Sequence, residues 1–214
     1  MRHLIPISGK DSLATAIVQM TRDPELPYEL FFNDVGSELP ETYDWLSQVE
    51  TKLARPITRI GRSLEQVIHG EGILPSANTR FCTRLGKIQP MEDYLGNDPT
   101  TIYFGIRADE DRAGYNGKHS IRPVYPLKEL GIGLEQVYQI VDRFGLRPPN
   151  FFWSRLHEIV TDKLNQRHRT WRRFTPVPSA DEVYGKLPRW AFDSLFAWRS
   201  RPNCYFCFFQ MRHE

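Results

Sequence analysis

The chain of 214 residues carries a net charge of +2, with 40% hydrophobic and 25% charged residues. That balance excludes a disordered polymer and fits a globular domain with an appendage, and a charge so near zero gives no bulk argument for nucleic acid. No apolar stretch approaches the roughly 20 residues of a membrane-spanning helix, and Met1-Arg2-His3-Leu4 runs straight into a motif, so a cytoplasmic protein with no membrane association is expected.

The first half alternates strand-like and helix-like segments. His3–Ile7 is a short apolar run, broken by Ser8-Gly9-Lys10-Asp11-Ser12. Leu13–Met20 follows with Leu13, Ala16, Ile17 and Met20 at helical spacing. Tyr28–Phe32 is a second apolar run ending in Asn33-Asp34. Pro40–Leu53 reads as a helix, with Pro40 in its first turn. Pro56–Ile60 and Thr101–Ile106 read as further strands. Glu65–His69 and Thr83–Leu95 read as helical, the latter with a break near Gly86 or Pro90. Strands alternating with helices predict an α/β fold: a parallel sheet with helices on both faces.

The second half predicts a mainly helical C-terminal part. Glu135–Phe144 is amphipathic, with Val137, Ile140, Val141 and Phe144 on one face. Arg147-Pro148-Pro149-Asn150 is a break, Phe151–Leu164 a further helix, Thr175–Ser179 a linker and Pro188–Trp198 a last helix. The expected division is a nucleotide-binding core over residues 1–130 and a basic helical region over residues 131–214.

Ser8-Gly9-Lys10-Asp11-Ser12 sits where a strand gives way to a helix. Small residues let the backbone approach an anion, first-turn N–H groups point at it, and the helix dipole adds attraction. The spacing is not that of a Walker A loop; the plain alternative is a polar turn with Ser or Asp as cap. Asp34, at the end of the second apolar run, places a carboxylate where ligands lie in open α/β sheets. Arg107 follows another predicted strand and offers a fork of donors suited to phosphate. The neighbouring acids Asp109, Glu110 and Asp111 suit Mg2+ or a ribose, or form a solvated charge cluster.

The cysteines are Cys82, Cys204 and Cys207. An odd count in a reducing compartment argues against a disulfide framework. Cys204 and Cys207 form a Cys-x-x-Cys pair, which points to a metal, a cluster or redox chemistry. From Arg143 to Arg173 the chain carries an excess of six positive charges, with Phe144, Phe151, Phe152, Trp153 and Trp171 among them. Arginines with interleaved aromatics suit a nucleic-acid backbone and unstacked bases; a basic helix with aromatics facing a core, or a grip on the nucleotide itself, would use the same residues.

Taken in order, these segments resemble a family. Strand, Ser8-to-Ser12 loop and helix resemble the Ser-Gly-Gly-x-Asp-Ser signature of ATP pyrophosphatases and other PP-loop proteins, the adenine nucleotide alpha-hydrolase-like group, although Ile7 and Ser8 replace its first Ser and Gly. Asp34-Val35-Gly36 through Pro40-Glu41-Thr42 is similar to the Asp-Thr-Gly-x-x-x-Pro-Glu-Thr element of the phosphoadenylyl-sulfate (PAPS) reductase branch. Gly105-Ile106-Arg107-Ala108-Asp109-Glu110 resembles its Gly-x-Arg segment, with Asp111 where Ser is usual. Cys82-Thr83 through Lys87 and Pro90 resembles its cysteine-to-lysine segment, and Arg122–Leu127 its proline-containing element.

The resemblance implies ATP as ligand, with Ser8, Gly9, Lys10, Asp11 and Ser12 around the phosphates. It further implies Asp34 and Glu38 placing nucleotide and Mg2+, and Lys10, Asp11 and Arg107 in catalysis. It implies that Cys82, Cys204 and Cys207 hold an iron–sulfur cluster of the 4Fe-4S type, with an open iron or a non-cysteine fourth ligand such as His213. Zinc and unliganded thiols are the alternatives. Within the family the pattern is nearest the ATP pyrophosphatase of DNA phosphorothioation: adenylation of a nucleic acid, then sulfur insertion, with a cysteine desulfurase as sulfur source and DNA or tRNA held by Arg143–Arg173. A tRNA thiolation enzyme and a PAPS or adenylyl-sulfate reductase are the rival readings. The tail Cys204-Tyr205-Phe206-Cys207 departs from the Cys-Gly-Leu-His of one reductase kind, and Thr83 departs from the paired cysteines of the other.

Overall fold

A computed structural model describes residues 1–38, 40–75 and 79–146. The expected helices at Phe151–Leu164 and Pro188–Trp198, the linker at Thr175–Ser179, Cys204, Cys207 and most of the basic stretch lie outside the described residues.

The elements run β1 (Arg2–Pro6), α1 (Lys10–Arg22), β2 (Tyr28–Asn33), α2 (Pro40–Leu53), β3 (Ile57–Ile60), α3 (Leu64–Glu71), α4 (Phe81–Thr83), a π-helical turn (Arg84–Ile88), α5 (Gln89–Leu95), β4 (Thr100–Tyr103), β5 (Ile121–Val124), α6 (Pro126–Glu129) and α7 (Leu134–Phe144). The strands form one parallel sheet in the order β3-β2-β1-β4-β5. This is the α/β architecture expected. Strands β2 and β3 lie to one side of β1, and β4 and β5 to the other. The order therefore reverses between β1 and β4, the switch point at which open α/β sheets form a ligand crevice outside the carboxyl ends of the strands.

Successive residues of each strand face opposite ways, and both faces are buried. Ile5, Leu30 and Phe32 join Leu13, Ala16, Trp45, Val49, Leu127, Val137 and Val141 in one core. Leu4, Phe31 and Ile102 join Met91, Leu95 and Ile121 in a second core on the other face. Runs such as Leu4-Ile5 and Leu30-Phe31-Phe32 are apolar without alternation for this reason. Burying each large side chain contributes roughly 1.5–3 kcal/mol.

Three local features differ from expectation. The fourth strand stops at Tyr103, and Phe104–Arg107 leaves the sheet for the crevice. The helix expected over Thr83–Leu95 passes through a π-helical turn around Gly86. A side chain at Gly86 would press Val35 at 3.3 Å, and the Arg62 N–H donates to the Gly86 carbonyl at 3.1 Å. Strand β5 contains Pro123, tolerated because β5 lies at the sheet edge. Among the described residues no helix is long and apolar enough to cross a membrane.

Candidate functional site

The loop after β1 is tied by its own serine. The Ser12 hydroxyl accepts the N–H groups of Ser8 (2.8 Å) and Gly9 (3.0 Å) and donates to the Gly9 carbonyl (2.8 Å). Ser8 and Gly9 thus spend their amides on the loop's shape. An anion would meet the next N–H groups, at the start of α1, where a helix leaves donors without intrahelical partners. Lys10 lies there with only 7% of its surface exposed. Its Nζ sits 3.5 Å from Asp11 Oδ2 and 5.8 Å from the centre of the Tyr138 ring on α7.

The segment after β4 meets this loop at close range. A Cβ on Gly105 would lie 2.7 Å from the Asp11 carbonyl carbon and from the Ser12 nitrogen, so glycine is what lets the two backbones touch. Two residues on, Arg107 turns back towards α1. Its Nη1 lies 3.1 and 3.2 Å from the two oxygens of Asp11, and its Nε donates to Asp109 Oδ1 at 2.8 Å. Glu110 stands 3.5 Å from Nη1 and also accepts the Arg107 N–H. Burial alone would lower the Arg107 pKa, but Asp11, Asp109 and Glu110 outweigh it and hold the pKa above the ordinary value. For Asp109, slight desolvation works upward, while Arg107 and the Leu134 N–H prevail and hold its carboxyl below the ordinary range.

A second cluster forms at the end of β2. Asp34 Oδ1 accepts the Gly36 N–H (2.8 Å) and the Tyr43 hydroxyl (2.9 Å). Gly36 has φ +67°, which a turn built on that aspartate favours. Arg59 of β3 lies 3.9 Å from Asp34 Oδ2 and over the Tyr43 ring at 5.1 Å. Burial, then the hydrogen bond to Asp34, pushes the Tyr43 hydroxyl up to about 12. Nearby, Glu38 has a side chain only 3% exposed and an ion pair at 3.5 Å with Lys87 of the π-helical turn.

Ser8, Gly9, Lys10, Asp11, Ser12 and Arg107 therefore converge on the β1–β4 crevice. Asp34 and Glu38 belong to the β2 cluster. Cys82 is a half-buried free thiol on α4, just before the π-helical turn. Among the described residues no three His, Cys, Asp or Glu side chains gather as metal ligands. Sequence reading missed Tyr43, Arg59 and Tyr138. Their contacts bridge separate elements, and no local pattern announces them.

A parallel sheet with a strand–loop–helix joint at its switch point is the arrangement of the PP-loop superfamily. The family it falls in is specific: the phosphoadenosine phosphosulfate reductase domain family matches residues 2–121, and the chain belongs to it. It is 27% identical over 121 residues to the adenosine 5'-phosphosulfate reductase of Salinibacter ruber (strain DSM 13855 / M31), covering 52% of this chain and 48% of that protein. The chain thus spans about half the length of that curated relative. Its fold is also that of the phosphoadenylyl-sulfate (PAPS) reductase of Candida auris, solved as a phosphate complex. The TM-score is 0.53 with 18% identity, over 69% of this chain and 75% of that one.

Proposed function

We propose that the chain is an ATP pyrophosphatase that binds the nucleotide by its phosphates across the β1–β4 crevice. The observation that carries this reading is the convergence of two cations, Lys10 and Arg107, with the start of α1 at the switch point. Lys10 and the amides of α1 would hold the β- and γ-phosphates, and Arg107 would stabilise charge developing on the α-phosphate. An acceptor oxygen attacks the α-phosphorus, the bridging bond to the β-phosphate breaks, and pyrophosphate leaves with the electron pair. The acceptor is left adenylylated. Mg2+ usually takes one or two carboxylates plus phosphate oxygens. Asp34 and Glu38 would help place it, and the ion would neutralise phosphate charge.

In its fuller form the reading has a nucleic acid, DNA ahead of tRNA, as acceptor, bound through Arg143–Arg173. Persulfide sulfur from a cysteine desulfurase would then attack the activated centre, and AMP would leave with its oxygen and the electron pair. A thiol reductant would cleave the remaining sulfur–sulfur bond to leave the sulfur on the acceptor. Cys82, Cys204 and Cys207 would hold an iron–sulfur cluster. Iron and acid-labile sulfide analysis of anaerobically purified protein tests this: a brown, iron-loaded protein that loses its iron in Cys82→Ala is expected, and a colourless, iron-free one contradicts the cluster.

The second reading is adenylyl-sulfate or PAPS reduction, favoured by the Salinibacter ruber relative. There a thiolate attacks the sulfur, the sulfur–oxygen bond breaks and the nucleotide leaves. A thiol reductant then frees sulfite. Incubation with Mg2+ and ATP, in parallel with adenylyl sulfate or PAPS plus a dithiol, separates the two. Pyrophosphate release is expected, enhanced by DNA or tRNA; sulfite release without ATP turnover contradicts the first reading.

A further inference from the structure

Both cations of the crevice are linked to one helix, Lys10 directly and Arg107 through Asp109, and each link spans distant parts of the sequence. The Tyr138 ring of α7 lies 5.8 Å from Lys10 Nζ, within cation–π range. The other contact runs through Asp109, whose two oxygens do different work. Oδ1 accepts the Arg107 Nε–H at 2.8 Å, and Oδ2 accepts the Leu134 N–H, the first of α7, at 3.2 Å. Asp109 therefore caps α7 from 25 residues away while it holds Arg107. The Ala108 N–H, donating to the Ile132 carbonyl at 3.0 Å, fixes the same loop to the approach of α7. Helix α7 is itself anchored: Val137 and Val141 are fully buried in the core against α1.

We infer that Asp109 is a positioning residue, which carries the placement of α7 to the guanidinium of Arg107. The inference rests on the phosphate role given to Arg107 above. With Nε on Asp109 and Nη1 on Asp11, the guanidinium plane is fixed at two corners. Nη2 donates no hydrogen bond among the described residues and is the corner left to meet an anion. An arginine held this way loses little freedom on binding phosphate. Without Asp109 it keeps its charge and its Asp11 contact but swings about them. Asp109 then acts through Arg107, not on the ligand.

A double-mutant cycle read by calorimetry with inorganic pyrophosphate and, separately, ATP tests this. Asp109→Ala is expected to weaken pyrophosphate binding up to about ten-fold, the cost of immobilising on binding an arginine that is otherwise held beforehand. In an Arg107→Ala background it should change binding less than about two-fold. Asp109→Asn, which keeps one acceptor oxygen, should fall between wild type and alanine. Equal losses in both backgrounds, or none in wild type, overturn the inference. Binding of pyrophosphate without ATP contradicts the ATP reading and leaves the cycle readable. A crystal structure of Asp109→Ala decides the matter whatever binds: Arg107 displaced from its wild-type position is expected, and an unmoved Arg107 overturns the assignment.

Discussion

The two ends of α1 rest on polar clusters of opposite character. At its N-terminus Lys10, Asp11 and Arg107 form a charged group with a spare donor. Beneath its C-terminal half, His3 and Tyr103 stack with His3 Nδ1 2.8 Å from the Tyr103 hydroxyl, and the Tyr28 hydroxyl donates to the Gln19 carbonyl. In the second cluster the Tyr28 and Tyr103 rings are buried in the core, and both hydroxyls find partners inside the protein. The first cluster leaves Arg107 Nη2 without a hydrogen bond among the described residues, and the α1 dipole favours an anion there and disfavours one at the other end. Polar residues within a core thus divide into groups that satisfy one another and groups arranged to satisfy something else. The direction of one helix says which end is which.

Substitutions at the two ends should separate function from stability. The largest effect is expected from Arg107→Ala, which should cut pyrophosphate release about 100- to 1,000-fold, the usual cost of a lost transition-state donor. Tyr103→Phe should leave release within about two-fold. Equal losses from both would erase the distinction between the ends. Next is Gly105→Ala, whose methyl group would press the backbone of Asp11 and Ser12. It should cost about 1–3 kcal/mol in urea unfolding, together with reduced turnover.

Smaller effects concern stability alone. Tyr103→Phe strips His3 of its partner and should cost about 0.5–1.5 kcal/mol by urea titration. The two ends should also answer to pH in opposite directions. Burial, then the nearby Tyr103, pushes the Tyr28 hydroxyl up to about 12. Its contribution is present below the unfolded value near 10 and lost as pH rises towards 12. Tyr28→Phe should therefore flatten the fall in melting temperature over that range. Asp109 has a lowered pKa, so its contribution is present above the ordinary carboxylate value and lost as pH falls through the folded one. Asp109→Asn should flatten the acid limb.

Much of the fold was legible because it is written in local periodicity. The apolar runs at His3–Ile7 and Tyr28–Phe32, and the amphipathic Glu135–Phe144, lie within a few residues of β1, β2 and α7. The strand–loop–helix signal likewise placed Ser8–Ser12 at the crevice. What the sequence hid is contact at a distance. Arg107 and Asp11 are 96 residues apart, and nothing in either segment states that they meet. Asp109 looked like one acid among three, and its capping of α7 exists only after folding. Strand β5 escaped because Pro123 argues against a strand until its place at the edge is known. That the Ser12 hydroxyl turns back to accept the Ser8 and Gly9 amides is likewise visible only once the loop is folded.

Calorimetric titration of ATP into wild-type, Arg107→Ala and Tyr103→Phe protein tests the central claim most directly. Saturable binding by wild type and Tyr103→Phe, weakened at least ten-fold in Arg107→Ala, is the predicted result. Unchanged ATP affinity in Arg107→Ala would contradict a phosphate site at the β1–β4 crevice.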